Sequence, residues 1–428
     1  MGRLRVPKPK SRGLSRAVKC LKRTFDVLIA GAGFAGGVAA RVLAERGKRV
    51  LVAERRDHIA GNAYDCLDGH GVLIHKYGPH IFHTNNRRVF GFLSQFTQWR
   101  DYQHRVVANI PDGSGKPGWR QQYPVPFNLT SLEEAFGAEE GKRLGEKLLA
   151  ACPGQGQVTI LELRQNADLE IAAIADYVYE HVFVHYTMKQ WGQTPEEIDP
   201  ATTARVPVRL SRDDRYFMDA CQGMPLEGYT RLFERMLDHP NITVELGTDI
   251  LDRLDLSGEA LRVDGETFTG PVLYTGQADE LFGFRFGPLP YRTLDFQFET
   301  WQSREDPKRP YPDPDHPLRG GDFYQSHGTV NYTVDEPYTR ITEFKHLTGQ
   351  SLPGVTTIVK EYSRAYTGAA GEIPYYAILN PENNALYARY RAAAEKFGNL
   401  FLLGRLAEYK YYNMDAIAAR ALELAEGL

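Results

Sequence analysis

Three glycines near the start of the chain are spaced for binding phosphates. Gly31, Gly33 and Gly36 form a G-x-G-x-x-G pattern, and the acidic residue Glu54 follows. In this spacing the first glycine makes a tight turn, the second lets backbone N–H groups approach a pyrophosphate, and the third permits close helix–strand packing. An acid at the position of Glu54 accepts hydrogen bonds from a ribose. The pattern therefore predicts an adenine-dinucleotide site.

The residues around these glycines predict the strand–helix–strand unit that such a site requires. An apolar run over 25–30 precedes the glycines, a helical pattern follows them, and a second apolar strand over 50–53 ends on Glu54. The next run, ERRDHIAGN, resembles the E-x-R-x-x-x-G-G-R/N sequence of flavoproteins of the glutathione-reductase and amine-oxidase type, with Ala60 where a glycine is usual. This resemblance favours FAD as the dinucleotide.

Composition narrows the class of protein further. The chain has 428 residues, enough for two or three domains, and its 51 basic and 54 acidic residues give a formal net charge of −3. That balance argues against a nucleic-acid partner. The first 23 residues are the exception, with nine Lys or Arg and no acid. We interpret residues 1–23 as a basic, disordered head.

Cysteine usage and hydropathy indicate a cytoplasmic protein. The four cysteines, Cys20, Cys66, Cys152 and Cys221, form no C-x-x-C pair, which suits a reducing compartment. No apolar run nears the roughly 20 residues of a membrane span, and the basic head lacks the apolar core of a secretory signal. We expect neither a membrane span nor a redox disulfide beside the flavin.

Three histidines, His75, His80 and His83, surround a Gly-Pro turn. Histidine clusters bind metals, but no cysteine or carboxylate completes an obvious ligand set here. The sequence predicts no metal site. It favours a turn that presents backbone groups and imidazoles to a cofactor ring.

The order of strand-like and helix-like segments predicts a mixed α/β fold. It comprises a discontinuous Rossmann-like FAD domain, a small helical domain and an antiparallel β-sheet domain that carries the substrate site. The expected bounds are 24–98, 222–279 and 397–428 for the FAD domain, 129–192 for the helical domain, and 99–128, 193–221 and 280–396 for the sheet domain.

Seven runs along the chain resemble one family, the UDP-galactopyranose mutases of bacterial type. In order they are HKYGPHIFHTN, YTMKQWG, TARVPVR, RYFMDACQGMPLEGYTRLFERML, PYTRITEFKH, EYSRAYTG with PYY, and GRLAEYKYYNMD. The resemblance implies a flavin-dependent isomerase that interconverts UDP-galactopyranose and UDP-galactofuranose. N5 of reduced FAD attacks the anomeric carbon, UDP leaves, and no net redox change results. It also implies a homodimer, an external reductant and a role in making cell-surface glycans.

The resemblance assigns roles to residues at matching positions. Arg205 and Arg340 neutralise the substrate diphosphate, and His83 adjusts N5 of the flavin and its proton. Guanidinium forks suit phosphate oxygens, and one arginine would leave a diphosphate half-neutralised. Phenol donors to the diphosphate are Tyr186, Tyr376 and Tyr411. The uridine site contains Trp191, Tyr216 and Phe217, and further substrate contacts are His104, Thr187, Asn331 and Asn413.

On the flavin side the resemblance adds residues to the glycine turn. Arg405 supplies a cation to the pyrophosphate, and residues 412–417 run along the ribityl chain into the last helix. The full set of cofactor residues is Gly31, Gly33, Phe34, Gly36, Glu54, Arg55, Gly61, Asn62, His80, Ile81, Arg405, Tyr412, Met414, Asp415 and Ile417.

Some features depart from the family or leave its details open. Val182 and His185 replace residues that are more often aromatic and glycine, so the shape of the uridine pocket stays open. The loop over 301–322 is longer than in many relatives. Trp191 with Gly192, and the loop carrying Arg205, are candidates for a segment that closes over UDP.

Three alternatives compete with this interpretation. An FAD-dependent oxidoreductase of the amine-oxidase type would share the glycine turn but would not need Arg205 together with Arg340. A flavin-stabilised nucleotide-binding module would bind UDP without turnover. A mutase acting on UDP-N-acetylgalactosamine would share the whole site.

Overall fold

The computed structural model describes residues 25–111, 120–192, 207–302 and 322–428. The basic head over 1–23, Arg205 and most of the 301–322 loop lie outside the described residues. The strands, in chain order, are β1 (Val27–Ala30), β2 (Val50–Glu54), β3 (Asp65–Leu67), β4 (Leu73–His75), β5 (Phe82–Thr84), β6 (Trp99–Asp101), β7 (Val106–Pro111), β8 (Arg120–Val125), β9 (Gln157–Thr159), β10 (Pro207–Arg209), β11 (Cys221–Pro225), β12 (Ile242–Leu246), β13 (Leu254–Asp255), β14 (Arg262–Val263), β15 (Glu266–Thr267), β16 (Val272–Tyr274), β17 (Tyr291–Gln302), β18 (Thr329–Tyr332), β19 (Arg340–Glu343), β20 (Val355–Ala365), β21 (Tyr376–Ala377) and β22 (Leu400–Leu402).

The α-helices are α1 (Phe34–Glu45), α2 (Arg87–Leu93), α3 (Leu129–Phe136), α4 (Ala138–Ala151), α5 (Ile160–Arg164), α6 (Leu169–Val178), α7 (His185–Trp191), α8 (Tyr229–Leu237), α9 (Ala278–Leu281), α10 (Phe344–Thr348), α11 (Pro381–Glu395) and α12 (Met414–Gly427). A π-helical turn over Tyr179–Val184 joins α6 to α7. Single turns of 3₁₀-helix cover Gly61–Ala63 and Ile250–Asp252.

A five-stranded parallel sheet of order β12-β2-β1-β16-β22 forms the Rossmann-like part. Its inner strands β1, β2 and β16 are buried along their whole length. Such strands are continuously apolar because helices or loops cover both faces of a parallel sheet. Here α1, α8 and α12 share a core with one face, and α11 packs on the other. The predicted mixed α/β fold with a Rossmann-like unit is confirmed.

A second, seven-stranded sheet has the order β21-β17-β20-β19-β18-β7-β8. Its pairs are antiparallel except for β18 with β7. The helices α3 to α6 and the π-helical turn pack on the β7–β8 end through a core of their own. A small antiparallel sheet of order β5-β11-β6 is not hydrogen-bonded to either large sheet through its strands.

The carboxyl end of α7 is tied to the seven-stranded sheet by polar contacts. The backbone carbonyl of Gln190 accepts hydrogen bonds from Arg292 Nε at 3.1 Å and from Ser363 Oγ at 2.6 Å. Lys189 Nζ donates to the carbonyl of Tyr332 at 2.6 Å and to that of Glu336 at 3.0 Å. The first two contacts satisfy the Gln190 carbonyl at the end of the helix, and all four fix α7 over β17, β18 and β20.

The glycine turn depends on close packing between α1 and β1. A Cβ built on Gly36 would lie 1.9 Å from the carbonyl oxygen of Gly31, a backbone atom that cannot move aside without shifting the strand. Only a glycine at this position lets the start of α1 approach the end of β1. The third glycine of the motif therefore does what its spacing predicts.

We expect Gly36→Ala to lower the free energy of unfolding by about 1–3 kcal/mol, because the added methyl group overpacks this contact. It should also weaken FAD retention, since the turn must move. Gly91→Ala is the matched control: it lies in α2, and its Cβ would meet nothing within 4 Å. Urea unfolding and flavin content measure both effects, and a wild-type midpoint for Gly36→Ala would contradict the expectation.

Candidate active site and cofactor groove

Two cavities adjoin in the structure and share Asn62, His80, Arg405 and Met414 in their walls. The first, which we call the nucleotide groove, is lined by the ends of β1, β2 and β16 and by the start of α1. The second, which we call the polar cavity, is lined by the seven-stranded sheet, α7 and residues 216–217. Groups bound in the two cavities would therefore be neighbours.

The turn after β1 opens the nucleotide groove. Gly31 has φ of +105°, and a Cβ there would lie 2.2 Å from Thr275 Oγ1. Thr275 Oγ1 itself donates a hydrogen bond to the carbonyl of Ala30 at 2.6 Å, so it is held in place. The turn brings the N terminus of α1 to the groove, where backbone N–H groups without helical partners attract an anion such as a pyrophosphate.

Glu54 ends β2 at the wall of the groove, although it is only 5 % exposed. One carboxylate oxygen accepts the Ala32 N–H at 2.8 Å, and the other accepts the Arg56 N–H at 2.9 Å. Each carboxylate oxygen can accept a further hydrogen bond. The two backbone bonds thus orient Glu54 and leave it capacity to bind ribose hydroxyls.

Arg56 stands at the arginine position of the E-x-R run and lines the groove, but the set predicted from the sequence omits it. Arg55 was predicted as a cofactor residue; it lines the groove, but its guanidinium pairs with Glu280 at 3.1 Å. Arg56 donates to Asn62 Oδ1 at 2.8 Å, lies over the ring of Tyr77, and has a buried Nη1 with no hydrogen-bond partner among the described residues. The motif spacing itself could have identified Arg56.

Three residues in register on neighbouring strands of the seven-stranded sheet, which we call the rung, lie at the centre of the polar cavity. Arg340 of β19 is paired in register with Asn331 of β18 and with Glu361 of β20. Residues in register on neighbouring strands point to the same face, so all three line the cavity. Arg340 Nε lies 3.3 Å from Glu361 Oε2. Burial raises the pKa of Glu361, and the Arg340 cation partly offsets this.

One face of the helical segment before Gly192 covers the rung. Phe183, Tyr186, Thr187 and Gln190 line the cavity, with the spacing of residues on one helical face. Gln190 was missed by the sequence-based set, although this spacing could have found it. Val182 is buried in the helical core and His185 is exposed, and neither lines the cavity. The two departures from the family pattern therefore leave the described cavity walls unaffected.

Tyrosine hydroxyls near Arg340 stay protonated at neutral pH. Burial raises the pKa of Tyr186, and it raises that of Tyr376 to about 12. The Tyr376 ring stacks on that of Tyr411 with centroids 5.9 Å apart. Arg405 lies 5.6 Å and 5.3 Å from the centroids of these two rings. The cavity thus combines two guanidinium groups with phenols that can donate hydrogen bonds.

Three histidines contribute to the cavity in different ways. His83 Nδ1 lies 2.8 Å from Asp219 Oδ2, and its ring stacks on Phe217 with centroids 3.5 Å apart. Burial lowers the pKa of His80 to about 3 and that of His104 to about 3, so both are neutral. His80 and His104 therefore add no positive charge to the cavity.

Several buried polar atoms of the walls have no hydrogen-bond partner among the described residues. They are Arg56 Nη1, Gln190 Oε1, Asn331 Oδ1, Arg340 Nε, Glu361 Oε1 and Arg405 Nε. Unsatisfied buried groups are costly and are characteristic of sites that a ligand completes. The donors in the set, all from arginine, suit an anionic ligand such as a phosphate.

Comparison with known proteins assigns the family. Residues 181–411 match the family model described as UDP-galactopyranose mutase, and residues 29–96 match that of an NAD(P)-binding Rossmann-like domain. A probable UDP-galactopyranose mutase of Klebsiella pneumoniae is 36 % identical over 403 residues, with 94 % of each chain covered. The chain belongs to the UDP-galactopyranose mutase family.

Further relatives outline the breadth of this UDP-galactopyranose mutase family. A dTDP-fucopyranose mutase of Escherichia coli is 34 % identical over 402 residues, covering 94 % of this chain and 97 % of that protein. A crystal structure of reduced UDP-galactopyranose mutase superposes with a TM-score of 0.66 at 15 % identity, covering 94 % and 93 % of the two chains. The family predicted from the seven sequence runs is confirmed.

The structure brings most of the residues predicted from the UDP-galactopyranose mutase family to the two cavities. Those that line the nucleotide groove are Gly31, Gly33, Phe34, Glu54, Arg55, Gly61, Asn62, His80, Arg405, Met414 and Ile417. Those that line the polar cavity are Ile81, His83, His104, Tyr186, Thr187, Tyr216, Phe217, Asn331, Arg340, Tyr376, Tyr411 and Asn413. Arg205 and the side chain of Trp191 lie outside the described part of the chain.

Three predicted cofactor residues do not line either cavity. Gly36 packs beneath the turn, as described above. Asp415 accepts a hydrogen bond from Thr84 Oγ1 at 2.8 Å, and Tyr412 contributes a backbone carbonyl that accepts from Arg405. These three residues support the cavity walls without lining them. A motif match does not distinguish such support from direct contact with a ligand.

The histidines of the Gly-Pro turn have separate partners. His75 Nδ1 accepts the His80 N–H at 3.0 Å, whereas His83 bonds to Asp219. Across the described ranges, no three His, Cys, Asp or Glu side chains are grouped to bind a metal ion. No helix in those ranges is long and apolar enough to cross a bilayer.

Three neutral histidines predict that the folded protein loses stability in acid. The pKa values of His75, His80 and His104 fall from 6.5 to about 4, 3 and 3. Below pH 6.5 the unfolded chain therefore binds protons that the folded protein excludes, and stability falls with pH until about pH 4 to 3. Each such histidine costs roughly 1 kcal/mol between pH 6.5 and 5.5. Urea unfolding across this range should show the decline.

His104→Gln should lower the slope of the unfolding free energy against pH by the contribution of about one proton, because the glutamine does not titrate. The exposed His70 offers the control His70→Gln, the same substitution at a residue that lines neither cavity. Equal slopes for wild type and His104→Gln would contradict a neutral His104.

Proposed function

We propose that this protein is a flavin-dependent mutase that interconverts UDP-galactopyranose and UDP-galactofuranose. The observation that carries the proposal is the partly buried Arg340 on its sheet rung, facing a cavity that shares Arg405 as a wall residue with the nucleotide groove. A binding site for a sugar nucleotide beside a dinucleotide needs this arrangement. An amine-oxidase-type enzyme, which shares the glycine turn, has no need of a cationic cavity.

The groove fits FAD. The N terminus of α1 and Arg405 suit its pyrophosphate, Glu54 suits its adenosine ribose, and the unpartnered Nη1 of Arg56 adds a donor. When bound in its reduced form, FAD would supply a nucleophilic nitrogen, N5, for chemistry at the anomeric carbon. The remaining tasks fall to the protein: holding the sugar, neutralising the leaving UDP and moving a proton.

The diphosphate is assigned to Arg340 and to the phenols of Tyr186, Tyr376 and Tyr411. These groups need no change of protonation to bind an anion, because the phenols with raised pKa values remain donors. Arg205 is proposed as the second guanidinium from its motif. Stabilising charge that develops on the leaving group lowers the barrier itself rather than only the binding free energy.

The nucleoside is assigned to aromatic rings at the edge of the cavity. Tyr216 and Phe217 lie edge to face, with centroids 4.9 Å apart, and Tyr216 is 37 % exposed. Flat rings of this kind bind a base at low cost in side-chain entropy. Trp191 is proposed as a third ring from its motif.

The isomerisation also moves a proton. The bond from C1 to the ring oxygen O5 breaks and the bond from C1 to O4 forms, so O5 gains the proton that O4 loses. His83 lines the cavity and, with Nδ1 bound to Asp219, has its other nitrogen available to hold and return that proton. We assign His83 to this exchange.

Family resemblance supports the cellular setting. We infer a cytoplasmic homodimer that depends on an external reductant and supplies galactofuranose for cell-surface glycans. The dTDP-fucopyranose mutase relative raises a second candidate, a dTDP-sugar substrate. The two differ in the base methyl group, the ribose 2′-hydroxyl and the sugar 6-hydroxyl, so direct comparison of the two sugar nucleotides separates them.

The first experiment compares dithionite-reduced and oxidised protein with UDP-galactofuranose, with chromatography for UDP-galactopyranose. We expect conversion only by reduced protein, with far less reductant consumed than product formed. Stoichiometric oxidation of a substrate would favour an oxidoreductase. Tight UDP binding without conversion of either sugar nucleotide would favour a binding module.

Arg340→Ala should lower kcat by about 10²–10³-fold, the effect of removing one group that stabilises developing charge. Flavin content and spectrum should not change, because Arg340 does not line the nucleotide groove. Arg253→Ala is the control, since Arg253 forms ion pairs with Glu245 and Asp264 elsewhere. Loss of flavin from Arg340→Ala would instead indicate a structural role.

A further inference from the structure

Asp219 stands behind His83 and is not part of the sequence-based site. Its Oδ2 lies 2.8 Å from His83 Nδ1, and its Oδ1 accepts a hydrogen bond from Asn85 Nδ2 at 2.8 Å. Both carboxylate oxygens are therefore committed to the strand β5 and the residues that follow it. Asp219 itself does not line either cavity.

The segment that carries Asp219 is fixed by further hydrogen bonds. Asn85 Oδ1 accepts the Ala220 N–H at 2.9 Å. Gln222 Nε2 donates to the carbonyls of Phe217 and Asp219, both at 3.0 Å. These contacts shape the chain over 217–222 into a rigid support on which the carboxylate cannot easily rotate.

The imidazole of His83 is constrained on two sides. The Phe217 ring covers one face, nearly parallel at 10°, and the Asp219 carboxylate binds the edge at Nδ1. An ionised carboxylate can only accept, so Nδ1 must carry a proton. In neutral His83 the other nitrogen, Nε2, is then a lone-pair acceptor. It has no hydrogen-bond partner among the described residues, and His83 lines the polar cavity.

We propose that Asp219 is a positioning residue that holds His83 in the Nδ1–H tautomer and turns Nε2 into the cavity as a proton acceptor. The role of His83 in turnover rests on the proposed function, whereas the tautomer is a property of this chain alone. The same segment carries Phe217, so the ring assigned to the base and the support of His83 move as one unit.

The positioning role predicts how kinetics should change. Asp219→Ala should lower kcat on the order of 10–100-fold, the usual effect of removing a partner that orients a functional histidine. KM and flavin content should change little, because Asp219 touches neither cavity. Asp219→Glu, which keeps the carboxylate, should recover part of the activity. Asp255→Ala is the matched control, since among the described residues that carboxylate accepts its hydrogen bonds from Ser257.

A double variant tests whether Asp219 acts through His83. If it does, His83→Ala with Asp219→Ala should be no slower than His83→Ala alone, because the orienting group has nothing left to orient. If the two substitutions instead lowered kcat by independent factors that multiply in the double variant, the proposal would be overturned. So would a rise in KM with kcat unchanged, since the segment would then serve nucleotide binding only.

A spectroscopic measurement is independent of turnover. Nitrogen-15 NMR of histidine-labelled flavoprotein at mildly alkaline pH, with His83→Gln to assign the signals, reports which ring nitrogen carries the proton. We expect Nδ1–H in wild type and a tautomer mixture in Asp219→Ala. Asn85→Ala, which keeps the Asp219 carboxylate but removes its contact with Asn85 and the Asn85 bond to the Ala220 N–H, should give a smaller shift and guards against misfolding of the first variant.

The two kinds of failure are distinguishable. If wild type shows the Nδ1–H tautomer but converts no UDP-galactofuranose, the proposed function fails and the positioning of His83 stands. If the wild type turns over and Asp219→Ala has the same His83 tautomer as the wild type, only the positioning inference fails.

Discussion

The partly buried guanidinium of Arg340 is the constraint on which the polar cavity depends. Removing a charge from water costs several kcal/mol unless partners compensate, and here the partner is Glu361 at 3.3 Å. The pair is held by the register of β19 and β20 rather than by flexible side chains. Arg340 Nε and Glu361 Oε1 still lack hydrogen bonds, so the protein carries an electrostatic cost that an anionic ligand can offset.

The surroundings of Arg340 serve to keep that cation in one place. The turn between β18 and β19 is held by Lys189, whose ammonium group binds carbonyls at both of its ends. Because Lys189 belongs to α7, the same contact orients the helix face that carries Tyr186 and Thr187. Neutral His80 and His104 add no competing positive charge. The site is thus pre-organised for negative charge before any ligand arrives.

The sequence predicted most of the glycine-turn unit, although it missed Arg56 there. The glycine turn, Glu54 and the start of α1 lie within one short unit, so their geometry follows from the backbone. The sequence named His83, Asn331 and Arg340 but did not identify the partners that distant segments supply to them. His83 and Asp219 are 136 residues apart, and the rung that joins Asn331, Arg340 and Glu361 requires the strand register. Tyr412 stays a prediction from the motif match, which identifies a position but not the direction of its side chain; in the structure its carbonyl accepts from Arg405.

The π-helical turn over Tyr179–Val184 sets the direction in which the side chains of α7 point. A π-turn accommodates one residue more than the α-helix around it, and one residue corresponds to about 100° of rotation. Without it, Tyr186, Thr187 and Gln190 would face away from Arg340. The turn is also tied to the sheet, because Thr333 Oγ1 donates to the carbonyl of His181 at 2.5 Å. A change in the length of this segment would therefore rotate these three side chains away from Arg340, whereas Val182 and His185 do not line the cavity.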